Sequence, residues 1–482
     1  MDTSLEDFIG LNRPEYAGSG EAVLSSLAWS LVKNAEGFDP NIYESAQEGN
    51  GKARKFEVFP TRRNGAAKVV EAARCEGITF GNFTGIEDAF LDVFRGVLPA
   101  KAVSIPAVPI VASAAFLQDT RGAKGKKNPA NYAQIIERFY CLGSSAAVQK
   151  DASAQAWYAV LSAGERIHVL KVLESLAKQM GPTREKGNVV ESPSLIPPGH
   201  SDLWSSPRWI HDLNTPFHWF HRSWNNFCKL SWRNALPRRR WADWATCLLR
   251  TALGMCYLWE ARFYRELARS LATGAEAEAL PLGGHSELLN WIGHDAKVSV
   301  RDVSTRIRQD IAIADKARKE VNQLLPSEDD RRREILNMTY TELVAFLRAE
   351  VSKADQNPFS AMLTEEVKGE APNTRETVVY SLQCRSETGA DADYYSLLAR
   401  RSRRYLVVEP GPEWIVVIAS MAAGEPGIPT TLGGVNKELK SLGLNPPREV
   451  LVGELERAGM ARSSHDADEA IEVVPAFEAV TL

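Results

Sequence analysis

Paired cysteine motifs are missing from this chain. Its six cysteines, Cys75, Cys141, Cys228, Cys247, Cys256 and Cys384, are scattered with no CxxC. That pattern suits buried free thiols in a reducing cytoplasm rather than a disulfide framework. The acidic start, MDTSLEDFIG, lacks the apolar core of a signal peptide. Long hydrophobic runs are also missing. The longest uncharged stretch, AVSIPAVPIVASAAFLQ at 102–118, contains two prolines and falls short of a membrane span. It reads as a buried strand or core segment, and no membrane partner is expected. Net charge is only −4, so the whole molecule is not a polycation.

Catalytic signatures are missing too. There is no GxxxxGK[ST], GxSxG, HExxH or GxGxxG, which removes the P-loop NTPases, the serine hydrolases of the elbow type, the zincins and the dinucleotide-binding enzymes. GAKGKKNP at 122–129 is a basic glycine loop without the P-loop hydroxyl, and reads as a surface loop. His294 and Lys297 fall one residue off the HxK spacing of phospholipase-D-type nucleases. Acid-x-Lys pairs of the kind found in metal-dependent nucleases occur at Glu366/Lys368 and Glu438/Lys440, and acid pairs at Asp391/Asp393 and Asp466/Asp468. Chance yields such pairs in a chain of this charge, and a solvated helix face accounts for Glu438/Lys440. No nucleophile–base or metal set can be assembled. No catalytic residues, metal ligands or cofactors are therefore expected.

What is present is an ordinary globular composition, 44% hydrophobic and 24% charged over 482 residues, enough for roughly two to four domains. The fold class expected is mainly α and multidomain. Residues 1–180 read as a mostly helical domain, from the apolar spacing at 21–35, 64–75, 86–94 and 131–180, with one alternating strand-like stretch at 55–61. A Pro/Gly/Ser-rich linker at 181–202 follows, then a Trp/Arg-rich helical domain at 203–354 that includes helical readings around SELLNWIGH, 299–325 and 339–354. A second linker spans 355–375, and the tail occupies 376–482.

The charge is unevenly placed. Between Trp204 and Arg265 stand ten Lys or Arg against three acids, together with eight of the twelve tryptophans. The densest part is WIHDLNTPFHWFHRSWNNFCKLSWRNALPRRRWADW: a nucleic-acid clamp, a metal site, or a helical core with a basic rim. Trp241, Trp244, Leu248, Ala252, Met255, Trp259 and Phe263 recur at helical spacing, one apolar stripe. That assigns the later tryptophans to a core, on a helix starting near Pro237 with Asn234 as a candidate cap. Arg238, Arg239 and Arg240 then sit at the helix N-terminus, where cations oppose the dipole. An anionic partner such as phosphate explains them, as does pairing with acids elsewhere in the fold. His218 and His221 share a helical face, with His211, Asp212 and Cys228 nearby, but no zinc-finger spacing is matched.

The tail carries the clearest pattern. EWIVVIASMAA (413–423) is an apolar helix. TTLGGVNKELKSLGL (430–444) is a second, capped by Thr430 or Thr431. PPREVLVGELERAGM (446–460) is a third, with proline in the first turn and Gly459 at its end. DEAIEVVPAF then alternates as a strand. Three helices followed by a strand resemble a winged-helix domain. In the DNA-binding mode the third helix enters the major groove, yet here Arg448 and Arg457 face Glu449, Glu454 and Glu456, a poor match for phosphates. The RRSRR run just upstream, with Arg400, Arg401, Arg403 and Arg404, supplies the missing charge.

The whole build, with HWFHRSWNNF, LPRRRWADW and YLVVEPGPEWIVVIASMAAGEPG, resembles the large accessory proteins of bacterial multi-gene antiphage defence systems. That resemblance implies a partner-dependent role in recognising or restricting foreign DNA. The expectation is a non-catalytic nucleic-acid-binding or scaffolding subunit with DNA or other nucleic acid and other protein subunits as partners. The alternatives are a metal-dependent nuclease of such a system and a protein-only scaffold. The nucleic-acid-binding candidates are Arg238, Arg239, Arg240, Arg400, Arg401, Arg403 and Arg404.

Overall fold

A helix that is apolar on all sides must be surrounded by other elements, and here one such helix organises the chain. The computed structural model describes residues 19–33, 70–79, 92–96, 107–117, 132–164, 167–180, 203–211, 214–274, 287–362, 371–387, 392–461 and 471–478, with Leu11, Pro14, Gly85, Ala89 and Phe90 besides. The elements before the central helix are α1 (Gly20–Lys33), a short 3-10 helix (Ala112–Phe116), α2 (Tyr132–Leu142), β1 (Val148–Gln149), α3 (Ala152–Ser162) and α4 (His168–Met180), then β2 (Leu203–Trp204), α5 (Arg208–His211), α6 (Pro216–Phe227) and α7 (Leu230–Ala235). The central helix is α8 (Arg238–Thr273), 36 residues and about 54 Å long. After it come α9 (Val298–Arg301), α10 (Ser304–Leu324), α11 (Asp329–Leu336), α12 (Tyr340–Val351), α13 (Pro358–Met362) and α14 (Pro372–Leu382). The chain closes with β3 (Leu398–Arg401), β4 (Tyr405–Val408), α15 (Pro412–Ala423), β5 (Thr430–Thr431), α16 (Leu432–Ser441), α17 (Arg448–Arg457) and β6 (Glu472–Val473).

The fold is mainly α, as the sequence predicts. The strands form only two-stranded antiparallel pairs: β1 with β2, β3 with β4, and β5 with β6. Helix α8 packs against α1, α2, α6, α10, α12, α13, α14 and α15. A continuous apolar cluster consequently runs from Leu11 to Val473. A second cluster gathers Ala107, Val108, Ile110, Val111, Ala114 and Leu117 with Leu173, Leu176 and Ala242. The uncharged run at 102–118 is a core segment where described, with Ala115 and Phe116 in the first cluster. Among the described residues, no helix is long and apolar enough to cross a membrane.

The stripe expected on α8 is buried, and so is almost everything around it. Trp241, Trp244, Leu248, Ala252, Met255, Trp259 and Phe263 are all within the core. The helix ends at Gly274, whose φ of 69° suits a residue without a side chain. Its N-cap is Pro237, not Asn234. Asn234 instead lies inside α7, because Leu236 and Pro237 adopt extended backbone and break the chain between the two helices. Gly254 is a helix-interior glycine with a packing reason: a Cβ there would meet Leu382 at 2.3 Å, so α14 lies almost on the α8 backbone.

Charged groups inside such a core must be paired. Arg250, in the middle of α8, donates to both oxygens of Asp393 at 3.0 and 2.9 Å. Arg385 donates to Asp393 from its backbone N–H at 3.0 Å and its Nε at 3.4 Å. The same Arg385 reaches both oxygens of Glu21 on α1, at 3.2 and 3.1 Å. Two cations and two anions thus tie the first described helix, the central helix and the segment before β3. Burial pushes the Asp393 and Glu21 carboxyls up, but their arginines outweigh it and hold both below the usual carboxylate range.

Some segments depart from expectation. SELLNWIGH is not helical where described: residues 287–294 are irregular, with Leu288, Leu289 and Trp291 buried. The Leu288 N–H donates to the Gly443 carbonyl at 2.8 Å, and Gly293 turns with φ 80°, so tertiary bonds replace a helix ladder. Within the stretch read as a second linker, α13 buries Phe359 and Met362. The strand-like 55–61, the loop at 122–129 and the linker at 181–202 lie outside the described residues.

Candidate nucleic-acid interface

The tryptophan-rich stretch is a helical core with a basic rim. Trp209, Trp219, Trp224, Trp232, Trp241 and Trp244 are all fully buried. Trp209 and Trp259 each stack on Phe263, at 5.2 and 5.4 Å, and Trp241 stacks on Phe227 at 5.5 Å. Rings held in this way have no face left for a base.

The histidines on α6 have structural partners. Thr215 caps the helix, and its hydroxyl lies 2.9 Å from Nδ1 of His218. His221 Nδ1 lies 3.0 Å from the Tyr140 carbonyl, and its Nε2 lies 3.1 Å from Asn225 Nδ2. Burial holds the His221 imidazole below its usual range despite the bond to Tyr140. His221 is thus kept neutral, and hydrogen bonds occupy both its ring nitrogens. The side chains of His211 and Asp212 lie outside the described residues. The described residues contain no group of three or more His, Cys, Asp or Glu arranged to hold a metal ion.

Two of the carboxylates singled out as acid pairs are engaged by arginines. Glu438 is buried rather than solvated: Arg222 donates to both its oxygens at 2.8 and 2.7 Å. Asp393 serves the buried network above. Glu366, Lys368, Asp391, Asp466 and Asp468 lie outside the described residues.

Arg238, Arg239 and Arg240 are half-buried at the start of α8 and point to partners within the fold. Arg238 donates to the Arg233 carbonyl at 3.2 Å. Arg239 pairs with Asp243 one turn on, at 3.0 Å, and donates to the carbonyls of Val93 and Arg95 at 3.3 and 2.7 Å. Arg240 pairs with Glu413 on α15 at 3.0 Å and lies over the Phe477 ring at 5.4 Å. These contacts offset the dipole penalty within the molecule, joining the start of α8 to the 93–95 segment and the tail.

The other arginine cluster is built differently. It forms the end of the β3–β4 hairpin, which is clamped at both edges. The Cys384 N–H donates to the Leu398 carbonyl beside β3. On the β4 side, Leu406 donates to the Asp302 carboxylate and accepts from the Val303 N–H. Leu398, Leu406 and Val408 are buried beneath. The turn between the strands holds Ser402 and Arg403 at φ 49° and 59°, closed by Arg404 N–H donating to the Arg401 carbonyl at 3.1 Å. Both conformations are ones that glycine or asparagine adopts at lower cost, by about 1–2 kcal/mol per residue.

Arg400, Arg401, Arg403 and Arg404 are all exposed. Arg400 donates to Gln383 Oε1 at 3.0 Å. Arg401 forms a two-bond ion pair with Glu409. Arg403 and Arg404 have no side-chain partner among the described residues. Beside the hairpin lies the His294 loop: His294 stands 3.8 Å from Glu409 and 3.9 Å from Glu454. Glu454, on α17, is paired in turn with Arg457. The spatial cluster therefore adds His294, Arg301 and Arg457 to the four arginines read from the run. Their proximity depends on contacts across more than a hundred residues, which no local spacing signals.

The α17 helix, whose sequence is a poor match for phosphates, is acidic on its buried side, where Glu454 is fixed. Thr431 caps α16, accepting from the Gly434 N–H at 3.0 Å. Gly459 ends α17 with φ 73°, and β6 returns to pair with β5. No protein-family model and no curated protein matches the chain.

Proposed function

We propose that the protein is a non-catalytic nucleic-acid-binding subunit that contacts a phosphate backbone through the β3–β4 hairpin. The observation that carries this reading is the turn itself. Two exposed arginines, Arg403 and Arg404, have no side-chain partner among the described residues, and one of them is held in a strained backbone conformation. Strain kept at an exposed site, where a glycine would relieve it, is a signature of function. Charge without an internal partner favours an anion, and a row of arginines favours a polyanion.

The order helix, strand, helix, helix, strand in α15, β5, α16, α17 and β6 fits a winged-helix reading of the tail. In that reading the acidic α17 faces protein and the β3–β4 hairpin, just before α15, faces nucleic acid. The resemblance to accessory proteins of antiphage systems suggests cytoplasmic DNA as the ligand and other subunits of a defence complex as further partners. Arg240 supports this surface by fixing the start of α15 through Glu413.

The test is retention of duplex DNA by the full chain between about 50 and 200 mM salt, with and without magnesium. Salt-sensitive retention without cleavage is the expected result. Magnesium-dependent cleavage overturns the non-catalytic reading. No retention at either salt overturns nucleic-acid binding and leaves a protein-only scaffold.

A further inference from the structure

One arginine of the hairpin already holds an anion, and that anion belongs to the protein. Glu409 is largely buried, with 12% of its side chain exposed, whereas Arg401 is 49% exposed. Two arginines and a histidine converge on this carboxylate: Arg401 through two hydrogen bonds, Arg301 with Nη2 at 3.7 Å from Oε2, and His294 at 3.8 Å from Oε1. Burial pushes the Glu409 carboxyl up, but the bonds and charge of Arg401, with His294 and Arg301, hold it below the usual range.

Arg301 is the unusual member. It is buried, and its Nη1 is anchored on the His294 carbonyl at 3.0 Å. Its Nη2 is buried and has no hydrogen-bond partner among the described residues. A buried guanidinium nitrogen left without a bond is costly, and this one already faces Glu409. A shift of roughly 1 Å brings it into hydrogen-bond range. Glu409 therefore has a second arginine in reserve.

We propose that Glu409 is an internal stand-in for a backbone phosphate: Arg401 transfers from Glu409 to a phosphodiester of the bound nucleic acid, and Arg301 closes onto Glu409 as Arg401 leaves. This rests on the binding reading above and assigns its regulation. The exchange needs only a side-chain movement of the exposed arginine. It leaves no buried carboxylate unpaired, which is the condition for a low cost. Arg400, Arg403 and Arg404 lie within four residues on the same hairpin and would engage neighbouring phosphates.

The experiment is fluorescence polarisation of a labelled DNA duplex with the full chain, comparing wild type, Glu409→Gln and Arg401→Gln over a salt series. Glu409→Gln releases Arg401 in advance and is expected to bind about three- to tenfold tighter. Arg401→Gln is expected to reduce the slope of log affinity against log salt by about 0.9, one phosphate contact. Wild-type binding with an unchanged slope in Arg401→Gln overturns the exchange, as does a folded Glu409→Gln that binds no tighter. If Glu409→Gln fails to fold, Arg401→Gln decides alone, since its side chain is half exposed. Absence of any wild-type binding sinks the hairpin reading itself and is distinguished by that first measurement.

Discussion

Asp393→Asn removes one charge from the centre of the molecule and should cost more than most core substitutions. The side chain is fully buried and accepts five hydrogen bonds: Oδ1 takes Arg250 Nη1 at 3.0 Å and the Tyr395 N–H at 3.2 Å, while Oδ2 takes Arg250 Nη2, the Arg385 N–H and Arg385 Nε at 2.9, 3.0 and 3.4 Å. An asparagine keeps only one oxygen, so its amide points donors at donors. Two buried arginines then share the single charge of Glu21. Breaking a buried pair in this way costs about 3–5 kcal/mol, a large part of the roughly 5–15 kcal/mol that holds a typical domain. Because Asp393 is held below its ordinary range, its contribution is present above the unfolded-state value near 3.8 and is lost as pH falls through the lower folded value. Urea unfolding at neutral pH measures the loss, and repeating it toward acid should show the gap between wild type and variant narrowing. A loss under about 1 kcal/mol would refute the reasoning, because it would mean the network behaves as a solvated surface pair.

Two other substitutions test different parts of the account. Glu137 is buried beside Asp151, and burial followed by that charge pushes its carboxyl up to about 7 from an ordinary 4.5. Its stabilising protonated form is therefore complete below pH 4.5 and lost as pH rises toward 7, a contribution of about 3 kcal/mol; Glu137→Gln should flatten the fall in urea midpoint between acid and pH 8, and parallel profiles would contradict this. At the hairpin turn, Ser402→Asn with Arg403→Gly should stabilise the fold by about 1 kcal/mol or more while weakening DNA retention. A variant that gains stability and binds as well as wild type would show that the strained turn serves packing alone.

Much of the architecture was legible because it is periodic. The α8 stripe, the buried tryptophans, the Thr431 cap and the three helices of the tail all follow from spacings within a few residues, where helical geometry alone decides which side chains share a face. What was not legible is long-range pairing. Arg240 meets Glu413 at a separation of 173 residues, and Arg222 meets Glu438 at 216; nothing local distinguishes an arginine destined for an internal carboxylate from one left for a ligand. Arg250 did carry a signal, since a lone charge in TCLLRTALGMC on an all-apolar helix requires a buried partner, although not which one. SELLNWIGH was misread because its apolar residues fill a tertiary slot against Gly443 with helix-like spacing but no helix bonds. For the hairpin, the RRSRR run was visible; its strained turn and the convergence of Arg401, Arg301 and His294 on Glu409 were not.

The central claim is that the hairpin arginines, rather than those at the start of α8, engage a phosphate backbone. The most direct measurement is the salt slope of DNA affinity for wild type, for Arg400→Ala/Arg403→Ala/Arg404→Ala, and for Arg238→Ala/Arg239→Ala/Arg240→Ala, each with its melting temperature. The account predicts that the hairpin variant keeps its melting temperature and loses about 2.7 from the slope, three phosphate contacts, whereas the helix variant melts earlier and, while folded, keeps its slope. A hairpin variant that binds with the wild-type slope would contradict it.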